Sequence, residues 1–171
     1  ADNHGGKAVA VPTLDDFHLD FSAFKKALNE RTKAVIINSP NNPTGVVYTR
    51  QELQELGNIL KAHSDRLGKA VTLISDDPYK KIVFDGVEVP NIMEFYDHSI
   101  YITSHSKDIA LPGERIGFLA VHPRCEDAGA LMAGLIFCNR VLGFVNAPAL
   151  IQRVVKQVQG VTVDVEQYRR K

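Results

Sequence analysis

Short apolar, β-branched runs alternate with amphipathic stretches along this 171-residue chain, and this alternation constrains the fold more than any other feature. Such near-continuous apolar runs are typical of strands that are buried on both faces. We predict strands at 8–12, 33–38, 70–76, 99–104 and 117–121. The alternation of strands and helices predicts an α/β fold with three αβα layers around a mainly parallel sheet.

The amphipathic stretches predict helices between these strands. Phe21, Phe24 and Leu28 share one helical face, and a second helix starts at Thr49, which forms a capping box pattern with Glu52. Gly68 marks the end of that second helix. Two more helices are predicted over 123–138 and 147–158.

One connection is too short for a parallel crossover. Only the segment from Lys107 to Ile116 separates strand 99–104 from strand 117–121. A parallel connection needs about a dozen residues or more. Strand 117–121 is therefore predicted to be the one antiparallel strand of the sheet.

Composition excludes several partners. The 20 basic residues balance the 20 acidic ones, so neither nucleic acid nor an anionic membrane is an expected partner. No apolar run is long enough to cross a bilayer, and no signal peptide pattern begins the chain, so we expect a soluble, cytoplasmic protein.

Cys125 and Cys138 lack the spacing of a metal or redox pair and are expected to be buried, reduced thiols on a helical segment. The histidines show no ligand spacing, so no metal site is predicted.

Polar residues follow the predicted parallel strands, where open α/β sheets bind their ligands. Taken one at a time, these residues need no functional explanation. A lysine after a strand is a solvated surface charge in about nine cases of ten, and Asp, Asn and Pro favour turns. Their joint occurrence at one edge is harder to explain in this way. The residues that converge there are Asn42, Asp76, Tyr79, Ser104, Ser106, Lys107 and Arg115.

Three segments with these residues resemble the class I/II aminotransferases, the fold type I pyridoxal-phosphate enzymes. They are Asn42-Pro43-Thr44-Gly45, Asp76-Asp77-Pro78-Tyr79 and Ser104-His105-Ser106-Lys107 with Gly113-Glu114-Arg115-Ile116-Gly117. The sequence around Ser104 to Gly117 is most similar to aspartate- or alanine-type members. The resemblance implies that 1–160 is the central part of the large, cofactor-binding domain. Residues 161–171 would then start the connection to a small domain.

The resemblance also implies a role for each site residue. Lys107 would hold pyridoxal 5'-phosphate as a Schiff base, with partial burial beside other cations lowering the pKa of its amine, and would later move a proton. Asp76 would pair with the pyridine nitrogen, and Asn42 and Tyr79 with the phenolic oxygen. Ser104, Ser106 and Arg115 would hold the phosphate. The predicted catalytic residues are Lys107, Asp76 and Tyr79.

Two neighbours of these residues have simpler interpretations. Asp77 is expected to serve the turn before Pro78 rather than the chemistry. His105 would alternate away from Ser104 and Ser106 if the strand geometry continued, so we predict no acid or base role for it.

The function implied by the resemblance is amino group transfer between an amino acid and a 2-oxo acid in a homodimeric enzyme. The family's phosphate loop, stacking aromatic ring and carboxylate-binding arginine have no counterpart in this sequence, so the isolated chain is expected to be inactive. Three alternatives remain open: a pyridoxal-phosphate-dependent carbon–sulfur lyase or another fold type I enzyme, the effector domain of a transcriptional regulator, and an inert truncated fragment.

Overall fold

The protein is described by a computed structural model, which covers residues 2–161 and 164. Nine helices and strands of the described residues position the site. They are α1 Phe21–Ala27, β1 Ala34–Asn38, α2 Arg50–Leu67, β2 Thr72–Asp76, β3 Ser99–Ser104, α3 His105–Asp108, β4 Gly117–Val121, α4 Ala128–Val141 and α5 Ala149–Val158. Short 3-10 helices lie at Asp2–His4, Ile92–Glu94 and Pro112–Glu114.

The four strands form one mixed sheet in the order β1-β2-β3-β4. β1, β2 and β3 are parallel, with Asn38 opposite Asp76 and Asp76 opposite Ile102. β4 runs antiparallel to β3, and Ser104 lies opposite Gly117. The α/β class with flanking helices, the mainly parallel sheet and the antiparallel strand at 117–121 are therefore confirmed.

Helix α2 follows the capping signals in its sequence. The Thr49 side chain accepts from the Glu52 backbone N–H, and the Glu52 carboxylate accepts from the Thr49 backbone N–H. Gly68 ends the helix with φ of 62°, a left-handed conformation that glycine adopts without a steric penalty. The start and the end predicted for this helix are both confirmed.

The main core lies between α2 and one face of the sheet. Its buried side chains come from α1, β1, α2, β2 and the loops beside them, and we call them the α2 core. They are Phe24, Ile37, Tyr48, Leu53, Leu56, Leu60, Val71, Leu73, Ile92 and Tyr96. A second, smaller cluster packs α5 against the segment around α3 through Val155, Ile109 and Ile116.

Several predictions were wrong. Residues 8–12 form no strand, and only an isolated bridge between Thr13 and Leu19 follows them, since no neighbouring strand pairs with this exposed segment. The helix predicted at 123–138 begins at Ala128, because residues 123–127 form turns. Cys138 is exposed and Cys125 lies before the helix, only partly buried, so the expectation of two buried thiols on one helical segment fails.

The predicted connection at 161–171 lies almost entirely outside the described residues, and the structure does not test the boundary at residue 160. Within the described part of the chain, none of the helices is both long and apolar enough to cross a membrane.

Candidate active site

The carboxyl ends of β1, β2 and β3 meet at one edge of the sheet because the three strands are parallel and in register. β1 leads into the segment that carries Asn42, β2 ends at Asp76, and β3 ends at Ser104. The antiparallel β4 begins at this same edge, two residues after Arg115. The residues predicted to converge therefore all leave or enter the sheet at the same edge.

The first contact across this edge joins Asn42 and Tyr79. The Asn42 side-chain amide donates to the Tyr79 phenol oxygen at 2.9 Å, which links the loop after β1 to the loop after β2. The backbone N–H of Asn42 donates to the Asn38 side chain at 2.8 Å. Because the phenol oxygen accepts this hydrogen bond, the Tyr79 hydroxyl hydrogen is left to donate to another group.

A turn built by Asn41 holds Asn42 in place. The Asn41 side-chain oxygen accepts from the Thr44 hydroxyl at 2.8 Å and from the Thr44 backbone N–H at 3.2 Å. Further along, the Tyr48 backbone N–H donates to the Ser39 hydroxyl at 2.9 Å in a buried position. The segment from 39 to 48 is thus fixed by its own polar side chains, as its turn-forming composition predicts.

Asp76 is anchored by a residue that the sequence analysis missed. The Asn38 amide nitrogen lies 2.8 Å from the Asp76 backbone oxygen and 3.4 Å from its carboxylate. Partial desolvation raises the pKa of the Asp76 carboxyl above its ordinary value. Asn38 is the last residue of β1 and faces Asp76 in register, so its position at the strand end was the signal that could have identified it.

Lys107 lies in α3, a single helical turn that continues directly from β3. The Ser104 hydroxyl caps this turn by accepting from the Ser106 backbone N–H at 3.1 Å, and it donates to the Ser106 hydroxyl at 2.7 Å. The Lys107 side chain is exposed, and it has no hydrogen-bond or ion-pair partner among the described residues. The partial burial expected for Lys107 is therefore not found among the described residues.

Arg115 lies just before β4 in a left-handed conformation, with φ of 51°. Its guanidinium donates to the Pro112 backbone oxygen at 2.9 Å. A guanidinium carries five N–H donors, so one contact leaves most of them available to an oxyanion.

Asp77 is buried on the opposite side of the strand end from Asp76, with 3% of its surface exposed. Burial raises the pKa of its carboxyl to about 6, although hydrogen bonds from Tyr101 and from the Lys80 backbone oppose the shift. One carboxyl oxygen has no hydrogen-bond partner among the described residues. The contact with the Lys80 backbone agrees with the turn role that was predicted for Asp77.

His105 is also buried. Its Nδ1 lies 3.0 Å from the Asp108 carboxylate, and its ring packs 5.9 Å from the Phe118 ring. A helix rather than a strand begins at His105, so the strand alternation assumed in the prediction does not apply there.

The arrangement brings together an exposed amine, a partly desolvated carboxylate, a phenol, an amide, two hydroxyls and a guanidinium. Such a set can bind a phosphorylated aromatic aldehyde, because it offers a nucleophile for the aldehyde and hydrogen-bond partners for the ring and phosphate. No group of side chains in the described part of the chain has the arrangement of a metal site. Two open concavities lie elsewhere, beside α1 and α2.

Comparison with known proteins identifies the family. The family model described as aminotransferase class I and II matches residues 1–170. Aromatic-amino-acid aminotransferase 2 of Thermococcus litoralis is 36% identical over 121 residues, and aspartate aminotransferase of Bacillus subtilis is 37% identical over 122 residues. Each match covers 68% of this chain and 30% of the relative, so the chain spans under a third of the length of these relatives.

A solved structure agrees over nearly the whole chain. The crystal structure of an aminotransferase from Eubacterium rectale superimposes with a TM-score of 0.94 at 38% identity. The similarity covers 99% of this chain and 43% of that protein. On these findings the chain belongs to the class I and II aminotransferases.

Proposed function

We propose that the protein is a pyridoxal-phosphate-dependent aminotransferase that transfers an amino group between an amino acid and a 2-oxo acid, with Lys107 as the amine that binds the cofactor aldehyde. One observation carries the proposal. The exposed amine of Lys107, with no partner among the described residues, lies at the same sheet edge as the Asp76 carboxylate and the Asn42–Tyr79 pair.

The donor set fits this cofactor. A pyridine nitrogen needs an acidic partner, an aldehyde needs an amine, and a phosphate needs several N–H and O–H donors. The described residues supply Asp76 for the first need, Lys107 for the second, and Ser104, Ser106 and Arg115 for the third. When bound, the cofactor supplies an electron sink for the substrate carbon.

Asp76 would keep a proton on the pyridine nitrogen. Its side chain is only partly desolvated, and Asn38 holds its backbone and carboxylate from the neighbouring strand. A cationic ring beside the carboxylate would lower the pKa of Asp76 again, because an opposite charge at hydrogen-bond distance favours the ionised form.

Tyr79 and Asn42 would orient the ring through its phenolic oxygen. The Tyr79 oxygen already accepts from Asn42, so its hydrogen is directed to a further acceptor. The hydroxyls of Ser104 and Ser106 and the free N–H groups of Arg115 would bind phosphate oxygens. Lys107, released when substrate amine takes its place, would move the proton at the substrate α-carbon.

Covalent trapping tests the assignment of Lys107. The chain is titrated with pyridoxal phosphate, reduced with borohydride, digested and analysed by mass spectrometry. We expect the pyridoxyl group to accumulate on Lys107 in preference to exposed lysines far from this edge, such as Lys61. Lys107→Ala should abolish the preferred adduct, whereas the control Lys61→Ala should retain it. Equal labelling of all exposed lysines in the wild-type chain would contradict the proposal.

Assay of the products separates transfer from elimination. Transfer converts a 2-oxo acid into an amino acid, whereas a carbon–sulfur lyase releases ammonia and pyruvate. The names of the relatives mention aspartate and aromatic amino acids, which supports amino-acid and 2-oxo-acid substrates. We further propose a homodimer in the cytoplasm for the whole protein, and low activity for the isolated chain, which matches only part of its relatives.

A further inference from the structure

We propose that Asp108, held by His105 and Lys81, is a positioning residue that fixes the turn carrying Lys107 to the loop carrying Tyr79. This inference rests on the role proposed above for Lys107. It concerns three side chains behind the site, which we call the Asp108 clamp. None of the three is assigned a role in the proposed chemistry.

The clamp begins with a buried contact inside α3. Both oxygens of the Asp108 carboxylate lie close to His105 Nδ1, at 3.2 and 3.0 Å. The side chains of His105 and Asp108 are about nine-tenths buried, at 10% and 14% exposure. A carboxylate in such a position requires partners, since burying an unpaired charge is costly.

Lys81 connects the clamp to the next loop. Its ammonium lies 3.6 Å from Asp108, and it follows Tyr79 by two residues. The Lys81 side chain is half exposed, so this ion pair contributes less than the imidazole contact does. The result is a bridge from the turn that holds Lys107 to the loop that holds Tyr79.

The turn depends on such contacts because it is short. α3 has four residues, and a single helical turn is unstable without capping or packing. Ser104 caps its start, and the His105–Asp108 contact closes its buried side, where Phe118 packs on the His105 ring. Lys107 lies between His105 and Asp108 in sequence, so the clamp sets the position from which the Lys107 amine extends.

Hydrogen exchange of the full chain without cofactor tests the clamp directly. We expect Asp108→Asn to speed exchange in residues 105–109 by about tenfold, the effect of losing one hydrogen bond to a charged group. Lys81→Met should speed exchange in residues 79–82 by about twofold, as expected for the loss of an exposed ion pair. Lys81→Arg keeps the positive charge and should show the wild-type exchange rate. Lys61→Met is the matched control, because Lys61 pairs with Asp65 on α2 at 2.9 Å.

Trapping with pyridoxal phosphate and borohydride then tests the effect on Lys107. We expect Asp108→Asn to lower pyridoxyl labelling of Lys107 by about fivefold relative to Lys61, with Lys81→Arg at the wild-type level and Lys81→Met between the two. A purely structural contact would leave this ratio unchanged.

The outcomes distinguish the two proposals. Unchanged exchange in residues 105–109 of Asp108→Asn, or unchanged exchange in residues 79–82 of Lys81→Met, overturns the clamp. Wild-type labelling with no preference for Lys107 contradicts the proposed function, whereas the exchange data still decide whether the clamp exists.

Discussion

Helices α2 and α4 both carry many apolar residues, but the described chain buries most of those in α2 and leaves those in α4 exposed or only partly buried. Leu53, Leu56 and Leu60 of α2 lie fully inside the α2 core. In α4 no residue is buried, and Ile136 and Phe137 are 50% and 67% exposed. The exposed apolar surface continues beyond the helix through Leu142, Phe144 and Val145.

The difference follows from the sequence of each helix. The apolar residues of α2 recur every three or four positions, and charged residues such as Glu55 and Lys61 occupy the other face, so one sheet face suffices to cover it. α4 reads AGALMAGLIFCNRV and is apolar on all sides, a pattern typical of helices surrounded by other elements. An apolar surface of this kind marks a contact with another part of a larger structure or with a partner.

The largest expected effect comes from truncating one apolar side chain in each helix, Leu60 in α2 and Ile136 in α4. Leu60 has no exposed surface, so Leu60→Ala should lower the free energy of unfolding by about 3.5 kcal/mol through lost transfer energy and a residual cavity. Ile136→Ala, at a half-exposed position, should cost less than about 1 kcal/mol. Urea unfolding followed by circular dichroism measures both. Equal costs would mean that α4 is covered in solution.

The buried carboxyl of Asp77, directly after β2, tests how strongly the sheet edge excludes water from a side chain. Burial raises the pKa of this carboxyl from 3.8 to about 6, so the folded state binds the proton more tightly than the unfolded state. Wild-type stability should therefore fall as the pH rises from about 4 to 7, by up to about 3 kcal/mol. In Asp77→Asn this loss should disappear, making the variant more stable than wild type at pH 8.

The pH dependence of the difference in stability between wild type and Asp77→Asn provides the control. At pH 4 the Asp77 carboxyl is protonated in the folded state, and Asp77→Asn should then unfold at nearly the wild-type urea concentration. Asp65→Asn, at an exposed position paired with Lys61, serves as the matched variant and should show no such pH-dependent gain. A variant that is less stable than wild type at every pH would show that Asp77 is stabilised in its charged form.

Glycines offer the same substitution in both helices. A Cβ added to Gly57 in α2 would collide with the backbone oxygen of Phe95, so Gly57→Ala should destabilise by about 2 kcal/mol. A Cβ at Gly134 in α4 meets nothing within 4 Å, so Gly134→Ala should stabilise by about 0.5 to 1 kcal/mol through helix propensity. Thermal unfolding of the two variants should shift in opposite directions, and a loss of stability in Gly134→Ala would indicate a neighbour against α4.

The comparison also explains which parts of the fold were predictable from sequence. Strands β1 to β4 and helix α2 follow local patterns, namely buried apolar runs and the Thr49–Glu52 cap, and they appear where expected. The run at 8–12 has similar β propensity but forms no strand, because no other strand pairs with it. Strand pairing depends on neighbouring segments and cannot be predicted from one segment alone. The prediction that Cys138 is buried was wrong for a similar reason, since the burial of this residue depends on what packs beside α4.

The candidate site likewise contains residues that could be predicted from the sequence and residues that could not. Asn42, Asp76, Tyr79, Ser104, Ser106, Lys107 and Arg115 could be assigned to one edge because strand ends determine that edge. The Asp108 clamp could not be assigned in this way, because its contact with Lys81 joins segments that are distant in sequence and depends on side-chain directions. Asn38 was missed, although its position at the end of β1 marks the same edge. Whether each predicted residue binds cofactor stays a prediction that the trapping experiment addresses.

The smallest expected change in the free energy of unfolding comes from substitutions at the N-cap residues of α2 and α4, where the two helices are capped differently. Thr49 caps α2 through its hydroxyl, so Thr49→Ala should cost about 1 kcal/mol. Asp127 precedes α4 in a left-handed conformation with φ of 55° and makes no capping hydrogen bond with its side chain, so Asp127→Gly should be neutral or slightly stabilising. Urea unfolding resolves this difference. A clear loss in Asp127→Gly would show that its carboxylate supports the start of α4, and that α4 is less dependent on a covering partner than its apolar surface indicates.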